Sequence, residues 1–217
     1  MMIRFINKMV GKVFNYMGYD IQKKGRDFFY PKTDILNSVD KNLTLDQKKI
    51  HYGCGPILLK GWLNVDLCPR KNIDYISLSC NLIGRHPFPD NWFEFGFAED
   101  FIEHLSQEDS IIFLSEAYRT FKPGGILRLS FPGLEGVLKK HYREHGYEGA
   151  ITCKKEAYTT WSHLHFYSKE ELSTVCKYIG FSAIKFVEYS KSIYDALDHL
   201  DTRKDQIDLN TYVEIMK

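Results

Sequence analysis

Apolar positions along this chain alternate between short continuous runs and stretches with the spacing of a helix. Five short runs predict buried strands, near Lys49–Tyr52, Trp62–Val65, Ile73–Ser77, Phe93–Ala98 and Gly125–Phe131. The segment from Gln107 to Phe121 has apolar residues at helical spacing, and Lys122-Pro123-Gly124-Gly125 provides a stop signal. Strands that alternate with helices in this way indicate a parallel α/β sheet.

The same alternation continues in the carboxy-terminal third. Ser168, followed three residues later by Glu171, predicts a capping box at the start of a helix that Gly180 ends. Two further apolar runs, Ala183–Tyr189 and Thr211–Met216, predict the closing strands. The sheet therefore extends to the end of the sequence.

The first 18 residues have a separate pattern. Apolar residues recur at helical spacing from Ile3 to Met17, with Arg4, Lys8 and Lys12 between them. A basic amphipathic helix can make a peripheral contact with an anionic membrane surface, or it can pack against its own domain or a homodimer partner. Residues 18–47 are predicted to be a connecting arm. The chain thus divides into an amino-terminal extension, 1–47, and one domain, 48–217.

Composition narrows the function classes. The 217 residues carry a formal net charge of +1, so no general attraction for nucleic acid is expected. Five cysteines without a Cys-x-x-Cys pair favour a reducing compartment over a disulfide framework or a zinc site. No apolar run reaches the roughly 20 residues of a membrane-spanning helix. We expect a cytoplasmic protein, peripheral to the inner face of the membrane if residues 1–18 bind it.

A turn with two glycines follows the first strand of the predicted domain. Gly53 and Gly55 lack a Cβ, so the backbone can turn tightly and a ligand can approach it closely. Asp66 ends the next strand, where a carboxylate can accept hydrogen bonds from two ribose hydroxyls. A dinucleotide site would also need a third glycine, which is missing here. The pattern predicts a nucleotide-like ligand and argues against a dinucleotide.

Six segments in this order carry a family resemblance: His51–Pro56, Gly61–Asp66, Pro87–Glu94, Phe101–Leu105, Phe121–Leu127 and Gly180-Phe181. Together they resemble the class I S-adenosylmethionine-dependent methyltransferases, and within them the type 11-like branch associated with bacterial surface-glycan biosynthesis. The resemblance implies a Rossmann-like, seven-stranded, mostly parallel sheet with helices on both faces and an antiparallel last strand pair. It also implies S-adenosyl-L-methionine as cofactor and O-methylation of a sugar or other small metabolite in surface-polysaccharide biosynthesis.

The resemblance also assigns cofactor-binding residues, all near the carboxyl ends of the first four predicted strands of the domain. They are Tyr52, Gly53, Cys54, Gly55, Asp66, Asn81, Leu82, Ala98 and Glu99. The glycine turn would contact the methionine part through its backbone, and Asp66 would bind the ribose. Asn81 and Leu82 would bound the adenine, although the family usually has an aspartate at position 81. Ala98 and Glu99 would line the mouth where the sulfonium lies.

Three residues are candidates for catalysis. A hydroxyl acceptor must lose a proton, and a histidine with a pKa near neutrality is the first candidate base. His104 follows the fourth strand of the predicted domain together with Glu103, where the pair can also serve only as a structural bridge. His165, with His163 as a weaker candidate, lies in an aromatic segment before a capped helix. The competing interpretation is a pair of hydrogen-bonded loop histidines.

Further interpretations stay open. Asp100, Glu103, His104 and His165 are similar to a magnesium-coordinating pattern of some RNA-end and quinone-precursor methyltransferases, but acids at a helix start are commonly explained by the helix dipole, and no metal is expected. The acidic stretch Asp195–Asp208 is predicted to be a surface loop without a chemical role. The alternative functions are an inactive cofactor-binding scaffold in a glycan-assembly complex and an RNA methyltransferase.

Overall fold

The computed structural model describes residues 19–24, 26–31, 47–69, 72 and 74–217, with side chains from residue 47 onward. The predicted amphipathic helix over residues 1–18 lies outside the described residues. Within the predicted connecting arm, β1 (Tyr19–Lys24) and β2 (Arg26–Pro31) form an antiparallel hairpin. The arm therefore contains regular structure, which its mixed polar and aromatic sequence did not indicate. The aromatic residues of β2 agree with this structure, because aromatic residues favour strands.

Seven strands form the main sheet: β3 (Lys49–Tyr52), β4 (Leu63–Asp66), β5 (Ile76–Ser79), β6 (Phe93–Glu99), β7 (Phe121–Pro132), β8 (Ala183–Phe186) and β9 (Asn210–Met216). Their order is β5-β4-β3-β6-β7-β9-β8, and β9 runs antiparallel to both of its neighbours while the other pairs are parallel. This confirms the predicted mostly parallel sheet and its antiparallel closing pair.

The start of two strands differs from the prediction by three residues or more, and β8 ends at Phe186 instead of Tyr189. The third strand of the domain begins at Ile76 instead of Ile73. β7 begins at Phe121 instead of Gly125, and its register with β6 shifts between Phe93 and Phe95. The stop signal at Lys122–Gly125 therefore lies inside the strand, where Gly124 has a φ of +79°. A glycine at such a φ accommodates the irregular start of a strand without a Cβ clash.

Within the described residues, four α-helices accompany the sheet: α1 (Gln107–Thr120), α2 (Leu134–His141), α3 (Gly146–Lys154) and α4 (Lys169–Ile179). The side chain of Ser168 accepts a hydrogen bond from the backbone N–H of Glu171, which confirms the predicted cap of α4. Gly180 ends α4 with a φ of +118°. Ser106 caps α1 in the same way, by accepting from the N–H of Asp109.

The two faces of the sheet are covered differently. On one face α1 and α4 contribute to the main apolar core, which includes Phe113, Leu172 and Leu127. On the other face the loop residues Tyr194, Leu197 and Leu200 pack against Trp62, Phe97 and Ile126. A loop thus packs against the sheet at this place. Part of the acidic stretch is therefore buried, since Leu197 is 0% exposed and Asp201 is 4% exposed.

The strand order places a crevice beside the central strand. The chain leaves β3 for β4 and β5 on one side, and it returns on the other side as β6. In open α/β sheets a ligand binds at the carboxyl ends of the strands where the order reverses in this way. The glycine turn, Asp66 and Asn81 follow β3, β4 and β5, and a single 3-10 turn, Ile102–His104, follows β6.

Candidate active site

A cavity of about 210 Å³ opens at the carboxyl ends of β3, β4 and β5, and we call it the glycine-turn cavity. It is lined by Gly53, Asp66, Leu67, Cys80, Asn81, Leu82, Ile83, Phe101, His104 and Leu105. Most of these side chains are apolar, and one carboxylate faces them. The cavity therefore offers a flat apolar group a place to lie and a hydroxyl group one strong acceptor.

The glycine turn has two residues in the left-handed region. Gly53 has a φ of +59° and Gly55 has a φ of +48°. A Cβ at Gly53 would lie 2.4 Å from Cδ2 of Phe101, whereas a Cβ at Gly55 would meet nothing within 4 Å. Glycine is therefore required at position 53 by both backbone and packing, and at position 55 by the backbone alone.

Asp66 is fixed to the glycine turn by its own carboxylate. One oxygen accepts a hydrogen bond from the backbone N–H of Gly55 at 3.0 Å, and the other accepts from the N–H of Cys68 at 3.0 Å. Each oxygen keeps further acceptor capacity, because a carboxylate has about four lone-pair positions. The pairing holds the acid at the wall of the cavity, as the ribose assignment requires.

Asn81 lines the cavity, but its amide oxygen already has a donor. It accepts a hydrogen bond from the backbone N–H of Ile83 at 3.1 Å, which is an Asx turn. This oxygen is therefore only partly available to accept a hydrogen bond from an adenine amino group. The amide NH₂ and the second lone pair of the oxygen remain as polar contacts, beside the apolar walls of Leu82 and Ile83.

Five of the predicted cofactor residues do not line the cavity, namely Tyr52, Cys54, Gly55, Ala98 and Glu99. Tyr52 is 0% exposed and packs edge-on against Phe113, while Cys54 and Ala98 are buried. Burial raises the pKa of the Cys54 thiol to about 12. Glu99 points to a neighbouring loop, where its carboxylate accepts hydrogen bonds from the N–H and the hydroxyl of Thr202. Successive residues of a strand point to opposite faces, so Ala98 faces the apolar core while Glu99 faces this loop.

A second cavity, of about 350 Å³, lies beyond the carboxyl end of β6, and we call it the histidine cavity. It is bounded by residues of α2, by residues of the π-helix Lys155–Thr159 and the loop that follows it, and by the segment 203–209. Its charged and imidazole groups are Asp100, Glu103, His104, Lys140, His141, Glu156, His163, Arg203 and Asp205, and Trp161 and Phe166 supply aromatic walls. His104 lines both cavities. The two cavities therefore meet at one imidazole.

Three side chains converge at this meeting point. Glu103, His104 and His163 each offer one ligand atom, and these atoms all lie within 4.8 Å of one another. The rings of His104 and His163 are 4.9 Å apart between centroids, and His104 Nε2 is 4.0 Å from Glu103 Oε1. The backbone N–H of Leu164 donates to the carbonyl of Glu103 at 2.8 Å. This bond brings the aromatic segment against the turn that follows β6.

Burial controls the protonation of this cluster. Burial raises the pKa of the Glu103 carboxyl well above its ordinary value, and the charge of Asp100 raises it further. Burial lowers the pKa of the His104 and His163 imidazoles. Both rings therefore tend to be neutral at physiological pH, and a neutral imidazole can accept a proton or donate a lone pair.

His165 has a different position from the other two histidines. Its Nε2 lies 3.0 Å from Oε1 of Glu171, and its ring packs edge-on against Tyr167. Among the described residues, those that line the two cavities do not include His165. His163, the weaker sequence candidate, occupies the site instead. Sequence alone could not choose between His163 and His165. The two residues lie close together in one loop, and their positions in the sequence do not fix the direction in which each side chain points.

Arg203 and Asp100 are functional candidates that sequence reasoning did not single out as a pair. Arg203 Nη1 donates to Asp100 at 2.8 Å, and Asp100 has a φ of +50°. The two residues are far apart in sequence, so no local motif could reveal the contact. A non-glycine residue at such a φ beside a cavity is a form of strain that functional sites often contain.

Comparison with known families gives one partial match. Residues 63–129, from the start of β4 into β7, match the family model described as a methyltransferase domain. A search of curated proteins finds no relative that matches the chain. Among the described residues, no helix is long and apolar enough to cross a membrane.

Solved structures with a similar fold are methyltransferases. The Haemonchus contortus phosphoethanolamine N-methyltransferase 2 in complex with S-adenosyl-L-methionine has a TM-score of 0.52 at 15% identity, over 79% of this chain and 48% of that one. A Thermotoga maritima methyltransferase, described as a possible histamine N-methyltransferase, has a TM-score of 0.51 at 19% identity, over 78% and 82%. A Mesorhizobium loti S-adenosylmethionine-dependent methyltransferase has 0.52 at 14% identity, over 78% and 90%.

These likenesses establish the fold. The chain spans about half the length, 48%, of the Haemonchus contortus protein. It has the fold of the class I methyltransferases, and its residues 63–129 match the methyltransferase-domain model.

Proposed function

We propose that this protein transfers a methyl group from S-adenosyl-L-methionine, held in the glycine-turn cavity, to a small polar acceptor held in the histidine cavity. The observation that carries the proposal is that the two cavities meet at His104. One has the geometry of a nucleoside site, and the other has polar groups on several walls. A transfer between two bound molecules needs such a shared boundary.

The residues of the glycine-turn cavity fit the cofactor. Asp66 would accept hydrogen bonds from the ribose hydroxyls, and Leu82 and Ile83 would hold the adenine ring. The missing Cβ of Gly53 leaves room for the ring of Phe101, which lines the cavity, and the space above Gly55 is open. The bound cofactor supplies an electrophilic methyl group. The protein has to align the acceptor with it and to exclude other nucleophiles.

His104 is the residue that we propose to act on the acceptor. When an acceptor hydroxyl forms its new bond to the methyl carbon, its proton has to leave, and a neutral imidazole at the boundary can take it. Glu103 lies beside His104 with both carboxyl oxygens unpartnered among the described side chains. Glu103 can orient the acceptor or the imidazole through a hydrogen bond.

The finer assignments rest on the resemblance of the sequence and on its composition. A sugar hydroxyl as acceptor, within surface-polysaccharide biosynthesis, is supported by the type 11-like segments. A cytoplasmic location follows from the cysteine pattern, and the membrane contact or homodimer through residues 1–18 follows from their amphipathic spacing. The division into an extension, 1–47, and a catalytic domain, 48–217, belongs to the same proposal.

A methyl-transfer assay with a panel of sugars, amines and RNA tests the acceptor class. We expect turnover with a small polar molecule, and His104→Ala should lower it by about 10² to 10⁴-fold, the usual range for a general base. The matched variant is His165→Ala, which should keep most of the turnover because its imidazole pairs with Glu171. Equal losses in the two variants would contradict the role of His104, and binding of S-adenosylhomocysteine without any turnover would favour the scaffold.

A further inference from the structure

Among the described residues, Glu103 is a buried carboxyl group with an unusual environment. Its side chain is 1% exposed, and neither carboxyl oxygen has a hydrogen-bond partner among the described residues. Buried carboxyl oxygens are normally paired, so an unpartnered pair requires an explanation. Glu103 lines the histidine cavity, so its carboxyl group lies beside a space where a ligand can lie.

Two imidazoles meet this carboxyl group. His104 and His163 each bring a ring nitrogen to the cluster, and the ligand atoms of all three side chains lie within 4.8 Å of one another. His163 Nδ1 lies 2.8 Å from the backbone carbonyl of Ala157, so that nitrogen carries the hydrogen and Nε2 keeps its lone pair. A histidine that ligates a metal usually donates its other ring N–H to a carbonyl in this way.

We propose that Glu103, His104 and His163 form a binding site for a first-row divalent cation such as Zn²⁺. Two imidazole nitrogens and one carboxylate form a ligand set that suits Zn²⁺ or Fe²⁺, whereas Mg²⁺ prefers oxygen ligands. In a tetrahedral zinc site neighbouring ligand atoms are about 3.3 Å apart, given bond lengths of roughly 2.0–2.2 Å. Separations between the ligand atoms, which reach up to 4.8 Å, have to shorten by up to about 1.5 Å, and His104 can move because its side chain is 42% exposed.

The structure distinguishes this cluster from the set that the sequence pattern indicates. Asp100 is engaged by Arg203 and Asn210, and His165 by Glu171. Among the described residues, both carboxyl oxygens of Glu103 lack a hydrogen-bond partner, and His104 and His163 lie beside them. The proposed site differs from the magnesium pattern in its histidine and in its preferred ion, and it stands against the expectation of no metal.

The site deepens the proposed function, on which its catalytic meaning rests. All three side chains line the histidine cavity, so an ion bound by them would be open to an acceptor oxygen from that side. A cation at this place would lower the pKa of a bound hydroxyl. His104 would then serve as a ligand of the ion, and the second oxygen of Glu103 would accept the proton in place of the imidazole. The ion would hold the acceptor at the boundary of the two cavities.

Metal binding is measured on the full chain, freed of metal, without cofactor or acceptor. Isothermal titration with Zn²⁺ should give one tight ion per chain. Glu103→Gln and His163→Asn should each weaken it at least tenfold, and His165→Gln, the matched control, should leave it unchanged. Equal weakening by His165→Gln, or no saturable binding, overturns the proposal. Binding of S-adenosylhomocysteine, measured separately, tests the proposed function independently of this result.

Two further measurements protect the test. Co²⁺ is titrated as a spectroscopic substitute, and a nitrogen- and oxygen-ligated ion should show visible bands without thiolate charge transfer. A thiolate band would place the ion at a cysteine and overturn the proposal. Glu103→Gln is isosteric and removes a buried acid, so without metal it should melt no lower than the wild type. Zn²⁺ should then raise the melting temperature of the wild type but not that of Glu103→Gln.

Discussion

The glycine-turn cavity and the histidine cavity meet at His104, yet they are built in different ways. The first is formed mainly by residues that follow three neighbouring parallel strands within about 30 positions of sequence, from Gly53 to Ile83. The second combines residues from Asp100 to Leu209, and charged side chains hold its walls in place. The difference shows that backbone conformation defines one half of this site, and long-range ion pairs define the other.

Arg128 is the clearest example of the second kind of construction. It is 0% exposed on β7, and its guanidinium donates to Asp201, Glu214 and the carbonyls of Glu188 and Lys191. All five of its N–H groups are used. It thereby fixes the loop that leads to Thr202 and Arg203, next to the histidine cavity. In the glycine-turn cavity the backbone N–H groups of Gly55 and Cys68, which both donate to Asp66, do the comparable work.

The largest effect is expected for Arg128→Met. The change leaves Asp201 and Glu214 buried without their counter-charge, and breaking such a cluster costs about 3–5 kcal/mol of unfolding free energy. The control is Lys122→Met, which removes a half-exposed pair with Glu94 and should cost no more than about 1 kcal/mol. Urea denaturation measures both.

The same variant sharpens the comparison between the two cavities. Where Arg128→Met remains folded, the affinity for S-adenosylhomocysteine should stay close to that of the wild type, while acceptor binding weakens. A loss of cofactor affinity equal to the loss of acceptor affinity would show that the two halves are not built independently.

A smaller effect is expected for Gly53→Ala. The new Cβ would collide with the ring of Phe101 and would stand at a φ of +59°, so we expect a loss of about 2–4 kcal/mol together with weaker cofactor binding. Gly55→Ala is the matched control, with a strained φ but open space, and it should cost about 1–2 kcal/mol. Denaturation curves and S-adenosylhomocysteine titration would separate the two, and equal costs would refute the packing argument.

The smallest effect is expected for Asp66→Asn. The neutral amide keeps one acceptor oxygen but loses the charge-assisted hydrogen bonds to the ribose, so the binding free energy of S-adenosylhomocysteine should fall by about 1–3 kcal/mol. Asp74→Asn serves as the control, because Asp74 is an exposed acid in the loop between β4 and β5. Unchanged affinity in Asp66→Asn would remove the ribose assignment.

The elements with strong local signals could be predicted from the sequence. Two of these signals, the cap at Ser168 and the stop at Gly180, depend on residues within a few positions of one another. The pairing of the glycine turn with Asp66 depends on two adjacent strands. The start of β5 was misplaced by three residues, since a short apolar run has no marked boundary. The buried Asp201 was taken for part of a surface loop, because its partner Arg128 lies 73 positions away.

By itself the sequence determined the mostly parallel sheet, and it predicted that Gly53 and Asp66 lie together at the ends of adjacent strands, because periodicity and glycine conformation act locally along the chain. Only the tertiary structure decided that His163, and not His165, joins Glu103 and His104, and that Glu99 turns away from the cavity. Side-chain direction at a strand end or in a loop depends on the register and packing of distant segments. Residue types and spacing alone do not specify those contacts.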